Sequence, residues 1–262
     1  MTRSMVVSID ELRAASRLVG ANMPPLLAGG DPDDTRVDLA ALRGLAARGL
    51  VVGLEAGDPE PVGDLADTLA ALDDMVALAE VERDLGAETG GTGERWAVAR
   101  GRTGTVVLRL RAGGLLDVTM DLADPGSAIV DGCALGDLEA RTAVIPEPWS
   151  VDSEALDTAE EMIMEGEGDR AATILVSAGA QTECAERWVR AVEQRRGGAS
   201  VTVARLLSDA DGAVEVRDVR WLVDGNGLGW RVDGGDSETA IVRATTADEL
   251  RRELTEMARC VS

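Results

Sequence analysis

Three short acidic runs are the first candidates for chemistry: DPDD at Asp31 to Asp34, the pair Asp73-Asp74, and DADG at Asp209 to Gly212. Carboxylate oxygens gathered in this way are ligands for hard cations such as Ca²⁺ or Mg²⁺, and a metal-carboxylate enzyme could be built on them. None continues as a full calcium-binding loop, which needs spaced acids, a central glycine and a terminal bidentate glutamate, so each reads as a solvated turn. A second candidate is VRWLVDGNGLGWRV, Val219 to Val232, with three glycines around Asn226. A phosphate cradle must open a helix whose first N–H groups face the anion, and this stretch is followed by none. Asp224-Gly225-Asn226-Gly227 between two extended runs is instead a hairpin signal.

The residue types that are missing remove most other chemistry. The chain has no His, Lys, Phe or Tyr, so all its side-chain positive charge is arginine. Without His there is no Ser-His-Asp triad and no histidine-bound metal; without Lys there is no Schiff base and no Walker lysine. Cys133, Cys184 and Cys260 are odd in number, widely spaced and free of any CxxC. They read as small buried hydrophobes in a reducing compartment. No catalytic residue, metal or cofactor is assigned.

The formal net charge of −22 opposes binding to a phosphate backbone or an anionic lipid surface. The N-terminal MTRSMVVSIDELRAASRLVG lacks a signal-peptide apolar run, and no stretch reaches the ~18 apolar residues of a membrane span. A cytoplasmic location follows as the expectation. With 45% apolar residues in 262, the chain can fill a sizeable core, its volume supplied by Leu, Val, Ala, Met and five Trp. Abundant Ala, Gly, Arg, Asp and Val with scarce Asn resemble amino-acid usage under GC-rich coding, of an actinobacterial type.

The elements that must position any site follow from periodicity. Met5 to Ile9 reads as a strand, after which Ser8 or Asp10 caps a helix with Leu12, Ala15 and Leu18 on one face. Asp38 to Leu50 reads as a helix with Leu39, Leu42, Leu45 and Ala46 inward, and another begins near Pro61 with Leu65, Leu69 and Leu72 buried. Met75 to Leu85 fits a helix or a strand. The glycine-rich GAETGGTGE reads as a flexible loop, followed by strands at Arg95 to Arg100, Thr105 to Arg111 and Leu115 to Leu122. Asp124-Pro125 starts a helix towards Leu138.

RTAVIPEPWS, with Pro146 and Pro148, reads as a connection, and the pattern then restarts. SVDSEALDTAEEMIMEGEG echoes SIDELRAASRLVG: a Ser, a β-branched residue and an Asp lead into an amphipathic helix ending at glycine. Ala171 to Ser177 reads as a strand, Ala185 to Arg195 as a helix, and Ser200 to Leu207, Val214 to Val223 and Thr239 to Ala244 as strands. Thr246 and Glu249 form a capping box for the last helix, with Leu250, Leu254 and Met257 inward. Two halves, residues 1–142 and 143–262, suggest a duplicated α+β unit whose strand meanders join into one antiparallel sheet. Coincident alternation without duplication is the alternative.

The segments SIDELRAASRLVG…PPLL, DLAALRGLAARGLV, DPEPVGDLADTLAALDDMVALAEVE and VRWLVDGNGLGWRVDG…ATTADELRRELTEMA resemble the EspG family of type VII (ESX) secretion-associated proteins. The likeness runs over nearly the whole chain and rests on order and spacing of elements. It implies an α+β fold of two pseudo-symmetric halves sharing a central antiparallel sheet flanked by helical bundles. It also implies a non-enzymatic cytosolic chaperone, monomer or homodimer, for secreted helical substrates of the PE-PPE or WXG type. The loop that matches the family's substrate-contacting loop is Leu85 to Glu94, which makes Glu88, Thr89 and Thr92 candidates. Trp221 and Trp230, on neighbouring strands, are candidates for partner contact if exposed, or core if buried, and Trp96 faces the same choice. An acidic metal-carboxylate enzyme and an unrelated protein-binding regulator are the alternatives; a DNA reader built on the Asp38 to Leu50 helix is opposed by the charge.

Overall fold

The computed structural model describes residues 2–27, 35–86, 93–111, 113–120, 122, 124–133, 135, 138, 147–208, 213–234 and 238–261. The first half opens with strand β1 (Arg3–Ser8) and helices α1 (Ile9–Val19) and α2 (Thr35–Ala47). A short ribbon, β2 (Val51–Val52) and β3 (Glu60–Pro61), precedes helix α3 (Gly63–Asp73). A meander β4 (Met75–Asp84), β5 (Glu94–Gly101), β6 (Thr105–Leu110), β7 (Leu115–Met120) and helix α4 (Pro125–Gly132) close it. The second half repeats this order: β8 (Trp149–Asp152), then α5 (Ser153–Met164), α6 (Gly168–Ser177) and α7 (Thr182–Glu193). Its meander is β9 (Gly197–Ser208), β10 (Ala213–Val223), β11 (Gly229–Asp233) and β12 (Thr239–Thr245), and its closing helix is α8 (Ala247–Ala258).

One antiparallel ten-stranded sheet runs β1-β7-β6-β5-β4-β9-β10-β11-β12-β8. Each half places its first strand at an outer edge and its meander from the centre outwards, so the order reads the same from either end. The halves meet where β4 pairs with β9, Glu82 opposite Ser200. The pseudo-symmetry extends to single positions, because Trp96 pairs with Arg109 in the first half as Trp221 pairs with Arg231 in the second. The proposed division at 142/143 falls outside the described residues.

Local chemistry explains the helix starts. Ser8 Oγ accepts the Glu11 N–H at 3.1 Å while the Glu11 carboxylate accepts the Ser8 N–H at 2.7 Å, a capping box worth about 1 kcal/mol. Thr246 and Glu249 make the same exchange at 3.2 and 3.0 Å to start α8, as the sequence predicts. Asp152 caps α5 through the Ala155 N–H.

Among the described residues the buried apolar side chains form three clusters. On one face, α4 and α8 cover the central strands, packing Ile129, Leu250 and Leu254 onto Val81, Val98, Val201 and Val219. On the opposite face α1, α2 and α3 cover the first half around Leu12, Leu45, Leu72 and Leu108, and α5, α6 and α7 cover the second around Leu156, Leu175 and Trp188. At roughly 1.5–3 kcal/mol for each fully buried Leu or Val, these clusters outweigh any capping term.

Several expectations need correction. Ala171 to Ser177 is helical, within α6: Ala171 and Leu175 are buried one turn apart while Thr173 and Val176 face solvent, so the period is that of a helix. Leu39 is exposed and Ala41 buried, because α2 turns Ala41 and Leu45 to the core. The helix begun by Pro125 ends at Gly132, short of Leu138. Met75 to Asp84 resolves as strand, with Val81 and its face-mates on one core and Leu78 on the other.

Candidate partner-binding groove

The helical layer opposite α4 and α8 is interrupted. Among the described residues the α1–α3 bundle covers the first half as far as Leu78 of β4 and the α5–α7 bundle covers the second as far as Leu222 of β10, leaving the rest of β4, β9 and β10 as the floor between them. Antiparallel register lines up that floor in rows. Ala204 pairs with Leu78 and with Val216; Thr202 pairs with Glu80 and with Asp218; Ser200 pairs with Glu82 and with Arg220. Paired residues share a face. Beyond the first row lie Leu206 and Val214, and Val214 and Val216 are 55% and 49% exposed. Two adjacent exposed valines on a sheet face are an apolar surface that no described element covers.

At the α5–α7 end the floor deepens into a cavity of about 390 Å³, with Met164, Trp188, Val192 and Leu222 among its apolar lining. Its rim is made of ion pairs. Arg95 meets Glu82 at 2.5 Å, Arg195 meets Asp84 at 2.6 Å, and Arg220 meets Glu160 at 3.0 Å and Asp157 at 3.5 Å. An apolar floor ringed by polar groups is the anatomy of a protein-binding hot spot. Burial pushes the Glu160 carboxyl above its ordinary value, with Arg220 opposing the shift. Burial also raises Glu80, whose carboxylate accepts the Leu26 N–H at 2.6 Å.

The candidate residues fare differently. Glu88, Thr89 and Thr92 lie outside the described residues; the flanking Leu85, Gly86, Gly93 and Glu94 are described, and Gly93 borders the cavity. Trp221 and Trp230 are 3% and 4% exposed, so the open contact area considered for them is absent and they serve the core. They point to opposite faces: Trp221 packs beneath α4 and α8, while Trp230 meets Trp188 edge to face at 6.1 Å under α7. A chain without Phe or Tyr places its largest side chains where volume is needed, and Trp96 is buried for the same reason. The structure brings Trp221 to the cavity wall and leaves Trp230 behind Trp188.

The glycine-rich hairpin is a turn held by its own side chains. Asp224 is buried, and its carboxylate accepts the N–H groups of Asn226 at 2.8 Å and Leu228 at 3.0 Å and the Trp230 indole N–H at 3.3 Å. Two of the amides that could have faced an anion are already occupied by the chain's own carboxylate, and the Gly227 N–H is held by the Asp224 carbonyl. Of the acidic runs, Asp31 to Asp34 and Asp209 to Gly212 lie outside the described residues. The Asp74 carboxylate accepts the Arg102 and Thr103 N–H groups at 3.1 and 3.0 Å, tying down the β5–β6 turn. No group of three or more Cys, Asp or Glu suited to a metal occurs among the described residues. Burial pushes the Cys133 thiol up to about 12, which keeps it protonated and unreactive. None of the described helices is long and apolar enough to cross a membrane.

Sequence reasoning missed the groove residues Glu80, Thr202, Asp218 and Arg220. Their signal is present in VEVRDVRWLV, where the side of β10 opposite Val219 and Trp221 carries Val216, Asp218 and Arg220. Which strand lies next to which decides that Thr202 and Asp218 share a row with Glu80, and the Glu80–Thr202 pairing joins residues 122 positions apart in the chain.

No family model matches the chain, and no curated protein matches it in sequence. Among solved structures it is similar in fold to the Mycobacterium tuberculosis type VII secretion system chaperone EspG5, solved in complex with a PE25-PPE41 dimer. The TM-score is 0.55 at 14% identity, over 99% of this chain and 95% of that one. At that identity the likeness is one of fold.

Proposed function

We propose that this protein is a cytosolic chaperone for type VII (ESX) secretion substrates. In this reading it binds a helical secreted protein, PE-PPE-like or of the WXG type, covers an apolar tip and keeps it soluble until export. No covalent bond is made or broken. The two halves act as one binding body, a monomer or homodimer, and the client occupies the floor of β4, β9 and β10.

The observation that carries this reading is the sheet face that the described helices leave open between the two bundles, apolar at the exposed Val214 and Val216 and hollowed beside Trp188. Burying apolar surface against a preformed sheet is favourable and needs little rearrangement of the receptor. The acidic periphery, set by the net charge of −22, keeps a loaded complex apart from its neighbours. The full-length fold likeness to a chaperone solved with a bound PE-PPE dimer supports the same assignment.

The test is coexpression with the small helical secreted proteins encoded beside its gene. Light scattering should report a stoichiometric complex, and hydrogen exchange should slow in β9 and β10. Absence of any complex, or protection confined to α4 and α8, would overturn the assignment.

A further inference from the structure

The groove's own ion pairs cancel unevenly along its length. At the cavity end every arginine of the lining is paired: Arg83 with Glu94, Arg95 with Glu82, Arg195 with Asp84 and Arg220 with Glu160. One row further along β9 the balance fails. Glu80 and Asp218 flank Thr202 from either side, and among the described residues neither forms an ion pair. One oxygen of Glu80 accepts the Leu26 N–H. Neighbouring strands lie ~4.8 Å apart, so the two acidic residues sit ~10 Å from each other across Thr202, a gap that one extended cation fills.

The pseudo-symmetry shows that this imbalance belongs to one end only. About the Glu82–Ser200 pair, the row Glu80–Thr202–Asp218 is mirrored by the row of Asp84 and Gly198, whose single carboxylate is already held by Arg195. The groove is therefore polarised: a neutralised, hollow end beside Trp188 and a net acidic middle, followed by the exposed valines. From Gly198 to Leu206 the floor is ~27 Å long, the length of a helix of about 18 residues.

We propose that the groove selects a client helix carrying a basic residue, seated over Thr202 between Glu80 and Asp218, with apolar side chains on either side filling the cavity and covering Val214 and Val216. The inference rests on the reading of this groove as the client site. It fixes the charge that the middle of the seated helix must carry. A cation on the client removes the repulsion between the two carboxylates, and an acidic residue there adds to it, so specificity comes from rejection as well as attraction.

The test uses the full chain, labelled with ¹⁵N, and two synthetic stapled helices of about 18 residues that differ at one position. That position holds Arg in one peptide and Glu in the other, flanked by leucines one turn away on both sides. The Arg helix should shift the Thr202 and Asp218 amides and bind about tenfold more tightly than the Glu helix, a difference of ~1.4 kcal/mol. The double variant Glu80→Gln with Asp218→Asn, which keeps an acceptor for Leu26, should bring the two helices to equal affinity. If both helices bind the groove equally well to the unaltered chain, the charge rule is overturned and the groove remains the client site. If neither perturbs β4, β9 or β10, the client site falls with it.

Discussion

Arg195 Nε lies 2.6 Å from a carboxylate oxygen of Asp84, joining the end of α7 in one half to the end of β4 in the other. The arginine side chain is 12% exposed, so water screens little of the interaction, and a second N–H of the same guanidinium is held by the Val192 carbonyl at 3.1 Å. Removing the carboxylate leaves a desolvated cation behind. Asp84→Ala is expected to lower stability by about 2 kcal/mol, whereas Asp84→Asn, which keeps an acceptor, loses less. Urea unfolding of both variants checks the order.

Gly132 offers a second test, with an unexpected sign. A methyl group built there would lie 2.2 Å from the Trp96 ring, in a closely packed core. Helix propensity favours alanine over glycine by about 1 kcal/mol, but overpacking against an aromatic ring costs about 1–3 kcal/mol. Gly132→Ala should therefore destabilise, with a changed near-ultraviolet signal from Trp96, and Trp96→Leu in the same chain should recover part of the loss.

Asp224 holds its hairpin through two backbone N–H groups and the Trp230 indole. Asp224→Ala takes that acceptor from all three donors, of which the Trp230 indole is buried while the exposed Asn226 turns to water, at a cost of about 1–3 kcal/mol. Asp224→Asn retains part of the network. Exchange of the Asn226 and Leu228 amides should accelerate in both variants, more so in the alanine form.

Two glutamates should respond to acid in opposite senses. Burial raises the folded-state pKa of Glu160 above 4.5, so the folded chain takes up its proton first and this residue's contribution to stability falls as pH rises through that raised value. The Thr246 N–H lowers Glu249 below 4.5, so its contribution is fully present above 4.5 and is lost as pH falls through the lowered value. In thermal melts at neutral pH, Glu160→Gln should raise the midpoint and Glu249→Gln should lower it. Both differences should close under acid conditions, once the carboxyls are protonated.

Much of the frame was legible because it is written in local signals. Ser8 with Glu11 and Thr246 with Glu249 announce two helix starts within four residues each, and Val106, Leu108 and Leu110 announce a strand by alternation. The repeated order of elements exposed the pseudo-symmetric sheet. Ala171 to Ser177 was misread because Thr173, Ile174 and Val176 favour strands, a preference that packing of Ala171 and Leu175 against α5 and α7 overrides. The groove was hidden for a different reason. Glu80, Thr202 and Asp218 have ordinary surroundings in sequence, and only the pairing of β4 with β9 and of β9 with β10 makes them neighbours.

The central seam between β4 and β9 also governs how the molecule is made. A chain that has formed only the first meander presents the bare backbone edge of β4, with Val81 and Val98 uncovered until β9 and α8 join them. The seam joins residues far apart in sequence, and contacts so distant along the chain form slowly. Until that seam closes, the first half carries an open strand edge of the kind that invites pairing with another chain.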